Sequence, residues 1–178
     1  MRNVKLTLCA MALAAVSTSA LAVDGPTQGT VTFNGELISD TCTIVSESVS
    51  REVQLPTVSI QTLNAKGLEA GSKGFDLNVE NCPTGITQVA AHFEAIGSTG
   101  VNSETGNLKN LATTTPAGNV EVRLYNSDEA QLKLGETGAP AKVVDGKATM
   151  RYYGGYYSTD ATTAGKVYAQ AKYTLAYP

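Results

Sequence analysis

The sequence predicts an all-β fold, an antiparallel sandwich, on three observations. Apolar and polar residues alternate with period two in several separate runs, the pattern of strands buried on one face. Turn signals such as Pro83-Thr84-Gly85, Asn126-Ser127-Asp128 and Asp145-Gly146 divide those runs at the short spacing of sandwich strands. Cys42 and Cys82 form an even pair in the body of the chain. Short strands, turns and one disulfide together make this a sandwich of the immunoglobulin type. The antibody variant packs a Trp on its disulfide, and this chain has no Trp.

Residues 1–22 read as a secretory signal rather than as part of the fold. Arg2 and Lys5 give a positive start, an apolar run follows, and Ala20-Leu21-Ala22 is a small-residue cleavage site. The apolar run is shorter than the ~20 residues a spanning helix needs, so no membrane insertion is expected. The remaining 156 residues suit one domain. Without Arg2 and Lys5 the 13 basic residues fall to 11, against 16 acidic ones, a net charge of −5 with His92 neutral. That balance, with no basic cluster, excludes a nucleic-acid partner. Cys9 leaves with the signal, and export puts Cys42 and Cys82 in an oxidising compartment. One disulfide between them would contribute about 4 kcal/mol in the chain-entropy model. Two thiols without neighbouring His do not make a metal site.

In order along the chain, residues 29–38 put Val31, Phe33, Gly35 and Leu37 on one parity and Thr30, Thr32, Asn34 and Glu36 on the other. Alternation alone makes this an ordinary first strand, with Gly35 at a bulge or a close approach. Residues 41–45 continue past Cys42. Residues 49–55 predict a strand that ends at Pro56, and 58–66 a helical or irregular crossover. Strands follow at 74–81, with Phe75, Leu77 and Val79 inward, and at 88–96, with Val89, Ala91, Phe93 and Ala95 on one face. Residues 97–118 are polar and rich in Thr, Asn and Gly, and read as loop. Strands are predicted at 120–125, 130–134 and 148–153, the last headed by Asp145-Gly146. Residues 154–164 read as loop.

The final stretch, 165–178, is the most regular. Val167, Ala169, Ala171, Tyr173, Leu175 and Tyr177 share one parity, and mostly polar residues the other. It predicts a long strand, and no later segment remains to pair with its far edge. An edge of that kind presents unpaired N–H and C=O groups to any other extended chain.

Nothing in the sequence assembles a catalyst. His92, the only histidine, lies on the polar parity of its strand. No Gly-x-Ser-x-Gly elbow, H-E-x-x-H motif or phosphate-binding glycine loop occurs. Asp128 and Glu129 sit side by side in a turn. Tyr152, Tyr153, Tyr156 and Tyr157 flank Gly154-Gly155, and read as strand packing ahead of a sugar-binding surface. No enzyme activity, cofactor or metal is expected.

Three features together resemble the pilin subunits of chaperone–usher fimbriae, of the type 1 and P pilus kind. They are the N-terminal Gly-Thr-Val-Thr-Phe-Asn-Gly-Glu-Leu, the forty-residue spacing of Cys42 and Cys82, and a C-terminal pattern with Gly165 fourteenth and Tyr177 second from the end. The resemblance implies an incomplete immunoglobulin-like sandwich lacking its seventh strand, completed by a donor strand from a neighbouring subunit. It implies three regions: a cleaved signal at 1–22, a donor-strand extension at 23–38 and a pilin domain at 39–178. It reverses the ordinary-strand reading of 29–38: Val31, Phe33, Gly35 and Leu37 become the face that enters the neighbour's groove, with Gly35 where the groove is shallow. Gly165, Val167, Ala169, Ala171, Tyr173, Leu175 and Tyr177 become the strand bordering the groove. The implied partners are identical or related subunits joined head to tail, a periplasmic chaperone and an outer-membrane usher. The implied location is a surface fimbria reached through the periplasm, most simply as its major rod subunit, since 156 residues leave no space for a lectin domain. The reading from another class is a self-contained secreted carbohydrate-binding sandwich using the tyrosines near Gly154.

Overall fold

The computed structural model describes residues 28–38, 40–97 and 100–178; the expected signal segment, and residues 23–27 of the expected extension, lie outside them. By its contacts the chain divides between Leu37 and Ile38. In the first unit, residues 28–37 are exposed and belong to no helix or strand. Alternation at 29–38 therefore does not give an ordinary first strand. A strand needs a ladder partner for its backbone N–H and C=O groups, and this segment has none among the described residues.

The second unit is a two-sheet sandwich. Its strands are β1 (Thr43–Ile44), β2 (Glu69–Glu80), β3 (Gln88–Ala95), β4 (Leu108–Lys109), β5 (Val120–Tyr125), β6 (Gln131–Leu132), β7 (Ala141–Lys142), β8 (Ala148–Ser158) and β9 (Ala171–Ala176). One sheet runs β1-β2-β8-β5-β4, with β6 also paired to β5; the other runs β7-β3-β9. Every pairing is antiparallel. The only helical pieces among the described residues are single turns at Ser46–Val49 and Ile60–Leu63.

The core lies between the sheets, and the alternation of each strand decides what enters it. Leu77 and Val79 of β2, Val89 and Phe93 of β3, Val122 and Leu124 of β5, and Met150 and Tyr152 of β8 all point inward and are buried. Phe93 packs edge-on against Phe75 and Tyr152, at centroid distances of 6.5 and 5.1 Å. Edge-to-face contact suits the positive rim and negative face of aromatic rings. The Tyr152 hydroxyl is buried with its ring, so it requires partners. It accepts from Ala91 N–H (3.0 Å) and donates to the Ala139 carbonyl (3.1 Å), which ties the two sheets together. Cys42 and Cys82 are bonded (S–S 2.07 Å) and buried at one end of this core.

Four sequence expectations change. β8 does not stop at Tyr153 but runs through Gly154-Gly155 to Ser158. These glycines are strand residues: a Cβ on Gly155 would lie 3.2 Å from Ser72 Cα, so a side chain there would crowd the backbone of the neighbouring strand. β2 begins five residues earlier than its alternation suggested, across a bulge at Gly71, whose φ of +65° suits glycine. The loop 97–118 contributes β4 and is held by buried Glu121, which accepts from Asn102, Thr105 and Asn107. Those three donors satisfy a carboxylate that would be costly to bury alone.

The fourth change is the segment after the first helical turn. Residues 49–55 are not a strand, and outside the helical turn no backbone hydrogen bond joins residues 50–58 to any described residue. The alternation survives in their burial, since Val53 and Leu55 are half-buried and Gln54 is exposed. What is missing is a ladder partner.

Candidate functional site

The unpaired segment 49–55 faces the C-terminal stretch 167–173 across an open cleft of about 620 Å³. The floor is the inner face of the first sheet, including Phe75 and Leu77 of β2, Val122 and Leu124 of β5, and Gly154 and Tyr156 of β8. It is apolar because these strands turn their inward parity toward the cleft as they do toward the core, with Tyr156 left half-buried. Gly154 lowers the floor: a Cβ there would meet only Leu124 and Val122, each at 3.9 Å.

The β9 wall carries an unused hydrogen-bonding edge. Among the described residues β9 pairs with β3 alone, Phe93 opposite Tyr173 and Ala91 opposite Leu175. Phe93 spends its N–H on Glu136 and its C=O on Gly135, and the Ala91 C=O accepts from Gly138. The backbones of Phe93 and Ala91 therefore turn away from β9. In an antiparallel ladder the residues opposite them turn outward as well. The N–H and C=O groups of Ala171, Tyr173 and Leu175 thus face the open side, with no hydrogen-bond partner among the described residues. One cleft wall is an edge with free donors and acceptors, the other is backbone without a ladder, and the floor between them is apolar. The space has the chemistry of a missing β-strand.

Two tyrosines close one end. The Tyr173 hydroxyl donates to the Ser48 carbonyl (2.7 Å), and Cys42 N–H donates to the Tyr177 hydroxyl (3.0 Å). Burial pushes the Tyr173 hydroxyl above its ordinary pKa, as it does for Tyr156 on the floor. Arg51 and Glu52 are the charged residues of the cleft lining, and no cluster of metal ligands occurs among the described residues.

The C-terminal residues singled out in the sequence fall into three groups. Val167, Ala169, Ala171 and Tyr173 line the cleft. Leu175 and Tyr177 are half-buried against the core, beyond the cleft's closed end. Gly165 precedes the wall. The expected single strand over 165–177 is shorter, because residues 166–168 bond to the loop at 111–117 instead of to β3. That contact explains Gly165: a Cβ there would run into the backbone of Pro116 and Ala117. At the other end of the chain, Val31, Phe33 and Leu37 are 76%, 90% and 100% exposed, and Gly35 has open space around it. Sequence reasoning missed the floor residue Gly154 and the 49–55 wall. Parity showed which residues turn inward but not that a strand's width of space lay above them. The four tyrosines near Gly154 do not form one surface. Tyr152 is core, Tyr156 is cleft floor, and Tyr153 and Tyr157 lie on the opposite parity of β8.

Fold and site define an immunoglobulin-like sandwich protein with an open cleft whose floor is apolar and whose β9 wall is an unpaired strand edge. A family model described as fimbrial protein matches residues 31–178. The F17 fimbrial protein of Escherichia coli is 39% identical over 176 residues, covering 93% of this chain and 94% of that protein. The major fimbrial subunit SMF-1 of Stenotrophomonas maltophilia is 39% identical over 175 residues, covering 93% and 99%. In fold, the chain is similar to the P pilus rod subunit PapA (TM-score 0.61, 18% identity, covering 77% and 99%). It is also similar to a subunit of a solved chaperone–usher pilus (TM-score 0.61, 21% identity, covering 85% and 96%). The chain belongs to the fimbrial protein family. Members of that family are structural subunits of surface pili, not enzymes, and they function joined to other subunits. Among the described residues, no helix is long and apolar enough to cross a membrane.

Proposed function

We propose that the cleft accepts an extended strand from another subunit, and that residues 23–38 of this chain are the strand it donates in turn. The observation that carries this is the unpaired edge of β9 facing the ladderless segment 50–58 across an apolar floor. A strand laid there gains main-chain hydrogen bonds along β9 and buries alternate side chains, the general mode of β-strand addition. Val31, Phe33 and Leu37 are exposed apolar residues at that spacing. Burying them contributes on the order of 5–9 kcal/mol at roughly 1.5–3 each. From Val31 to Leu37 the strand spans about 20 Å at ~3.3 Å per residue, as does the seven-residue wall 167–173. In this reading Gly35 meets the part of the groove too shallow for a side chain.

The regions follow: 1–22 is the cleaved signal, 23–38 the donor extension and 39–178 the accepting domain. Each contact is head to tail, so it propagates as a filament. A monomer with such an edge invites aggregation, which gives a periplasmic chaperone its role as first occupant and an outer-membrane usher its role in exchange. The chain has both a donor and an acceptor site, which fits the repeating rod subunit of a surface fimbria.

Gly35→Arg tests the donor assignment. It adds volume and a charge where the incoming strand is buried, and neither where residues 28–37 stay exposed. The variant is expected to fold and to bind chaperone normally. Its N-terminal peptide is expected not to displace chaperone from a wild-type subunit. A mutant peptide that exchanges as fast as wild type overturns the reading.

A further inference from the structure

We propose that Asn34-Gly35 is a self-modification site, at which the unassembled subunit converts Asn34 to isoaspartate and so retires its own N-terminal segment. It is the only Asn-Gly pair in the chain. Residues 33–36 are exposed and in no ladder, and Asn34 makes no side-chain hydrogen bond to any described residue. No described residue beyond its chain neighbours lies within 4 Å of the position a Gly35 side chain would take, so Gly35 is uncrowded on that side. Asparagine is among the chemically labile residues, and glycine leaves its own amide free of steric cover and able to adopt the folded-back geometry.

The reaction needs only water. The Gly35 amide nitrogen loses its proton and attacks the Asn34 side-chain carbonyl carbon. That N–C bond forms, the bond from carbon to Nδ2 breaks, and ammonia leaves carrying the proton. The resulting five-membered imide adds one water at either carbonyl. One product is aspartate. In the other, isoaspartate, the Asn34 Cβ has become part of the main chain. That extra atom breaks the two-residue period between Phe33 and Gly35, so Val31 and Phe33 no longer share a face with Leu37.

The other asparagines followed by a small polar residue are held. The Asn102 amide donates to Glu121 and its Oδ1 accepts from Glu104. Asn126 accepts from Ala139 through its side chain and bonds Ala130 and Glu129 through its backbone. They are internal controls for the rate.

The second part of the inference rests on the donor-strand reading: in a fibre, the ladder holds the Gly35 nitrogen and blocks the attack. Ring closure then requires local opening, and an opening cost of even about 1.4 kcal/mol slows it about tenfold. The test is peptide mapping with isoaspartate detection on mature monomer and on assembled fimbriae aged at mildly alkaline pH. In monomer, Asn34 is expected to convert well ahead of Asn102 and Asn126, with isoaspartate present; if it does not outpace them, the site is overturned. In fimbriae, conversion is expected to be at least about tenfold slower. Equal rates in both would overturn the protection, and with it the donor reading, while the modification site stands. Asn34→Gln keeps the amide but lengthens the ring that must close. Aged wild-type monomer is expected to lose polymerisation, relative to fresh wild type, in step with its isoaspartate content, and aged N34Q monomer to polymerise as fresh N34Q does. Equal loss in both would overturn the retirement role.

Discussion

β8 and β9 are built on the same pattern and end in different states. Both alternate, both place tyrosines inward, and both run antiparallel to a neighbour. β8 is paired on both sides, by β2 and β5, and its inward Met150 and Tyr152 are 1% and 0% exposed. Among the described residues β9 is paired only by β3, and its inward Ala171, Tyr173 and Leu175 stay half-buried. The difference lies in what stands beside each strand, not in either sequence. An apolar parity states what a strand is able to bury, and what lies beside and above it decides whether it does: Tyr156 of β8 is paired on both edges and is still half-buried, because it lines the cleft.

The strongest way to break this comparison is to remove the partner proposed for β9. Deleting residues 23–36 is expected to leave a domain that folds and binds chaperone but donates no strand, so polymer formation falls to nothing. Gel mobility without boiling reads this directly, as a ladder for wild type and single bands for the deletion. A ladder from the deleted chain would place the donor elsewhere. The next effect bears on the frame that holds both strands. Cys42→Ser removes a bridge that closes a forty-residue separation and sits buried at the end of the core. A loss of about 2–5 kcal/mol is expected, seen as a fall in the denaturation midpoint and in subunit yield. An unchanged midpoint would mean that packing alone holds that end shut.

The β8 side of the comparison is sharpened by Tyr152→Phe. The ring stays, but the buried Ala91 N–H loses its acceptor. That costs about 1–3 kcal/mol. The same hydroxyl gives a pH signature. Burial raises the Tyr152 pKa above its ordinary 10.0, so the folded state holds its proton more tightly than the unfolded state does. Stability from this term is complete below pH 10 and is lost as pH rises from there through the folded pKa. The alkaline fall in stability is expected to be shallower in Tyr152→Phe than in wild type. Identical slopes would assign it to the other raised tyrosines, Tyr125, Tyr156 and Tyr173.

Particular residues mark what was legible in the sequence. The strand at Val120–Tyr125 matches its expected bounds to the residue, and β3 to within one, because their alternation is unbroken and both edges find ladder partners. The Cys42–Cys82 bridge followed from an even cysteine count in an exported chain. Gly154-Gly155 was read as loop because glycine weakens strands. Its reason for being in one, the approach of Ser72, belongs to a neighbour far away in the chain. The same holds for Gly165 against Pro116-Ala117. Residues 49–55 had the right alternation for a strand, and alternation carries no information about whether a ladder partner exists. The cleft is an absence between two such segments, so only their arrangement in space displays it.

The smallest expected effect tests where the cleft ends. Tyr173→Phe keeps the ring, which lies 6.2 Å from Phe93, and removes only the bond to the Ser48 carbonyl. A loss of about 0.5–1.5 kcal/mol is expected, read as a Tm lower by a few degrees. Ser48 lies just before the open wall at 49–55, and Tyr173 is the last β9 residue that lines the cleft. If this bond marks the closed end, a strand filling the cleft stops short of it and leaves it intact. The Tm difference between Tyr173→Phe and wild type is then the same in the empty subunit and in one saturated with a peptide of residues 28–38. A difference present in the empty subunit and gone in the filled one would mean that the strand displaces the Tyr173–Ser48 bond. The free edge of β9 would then accept backbone partners through Leu175, as the outward N–H and C=O of that residue allow.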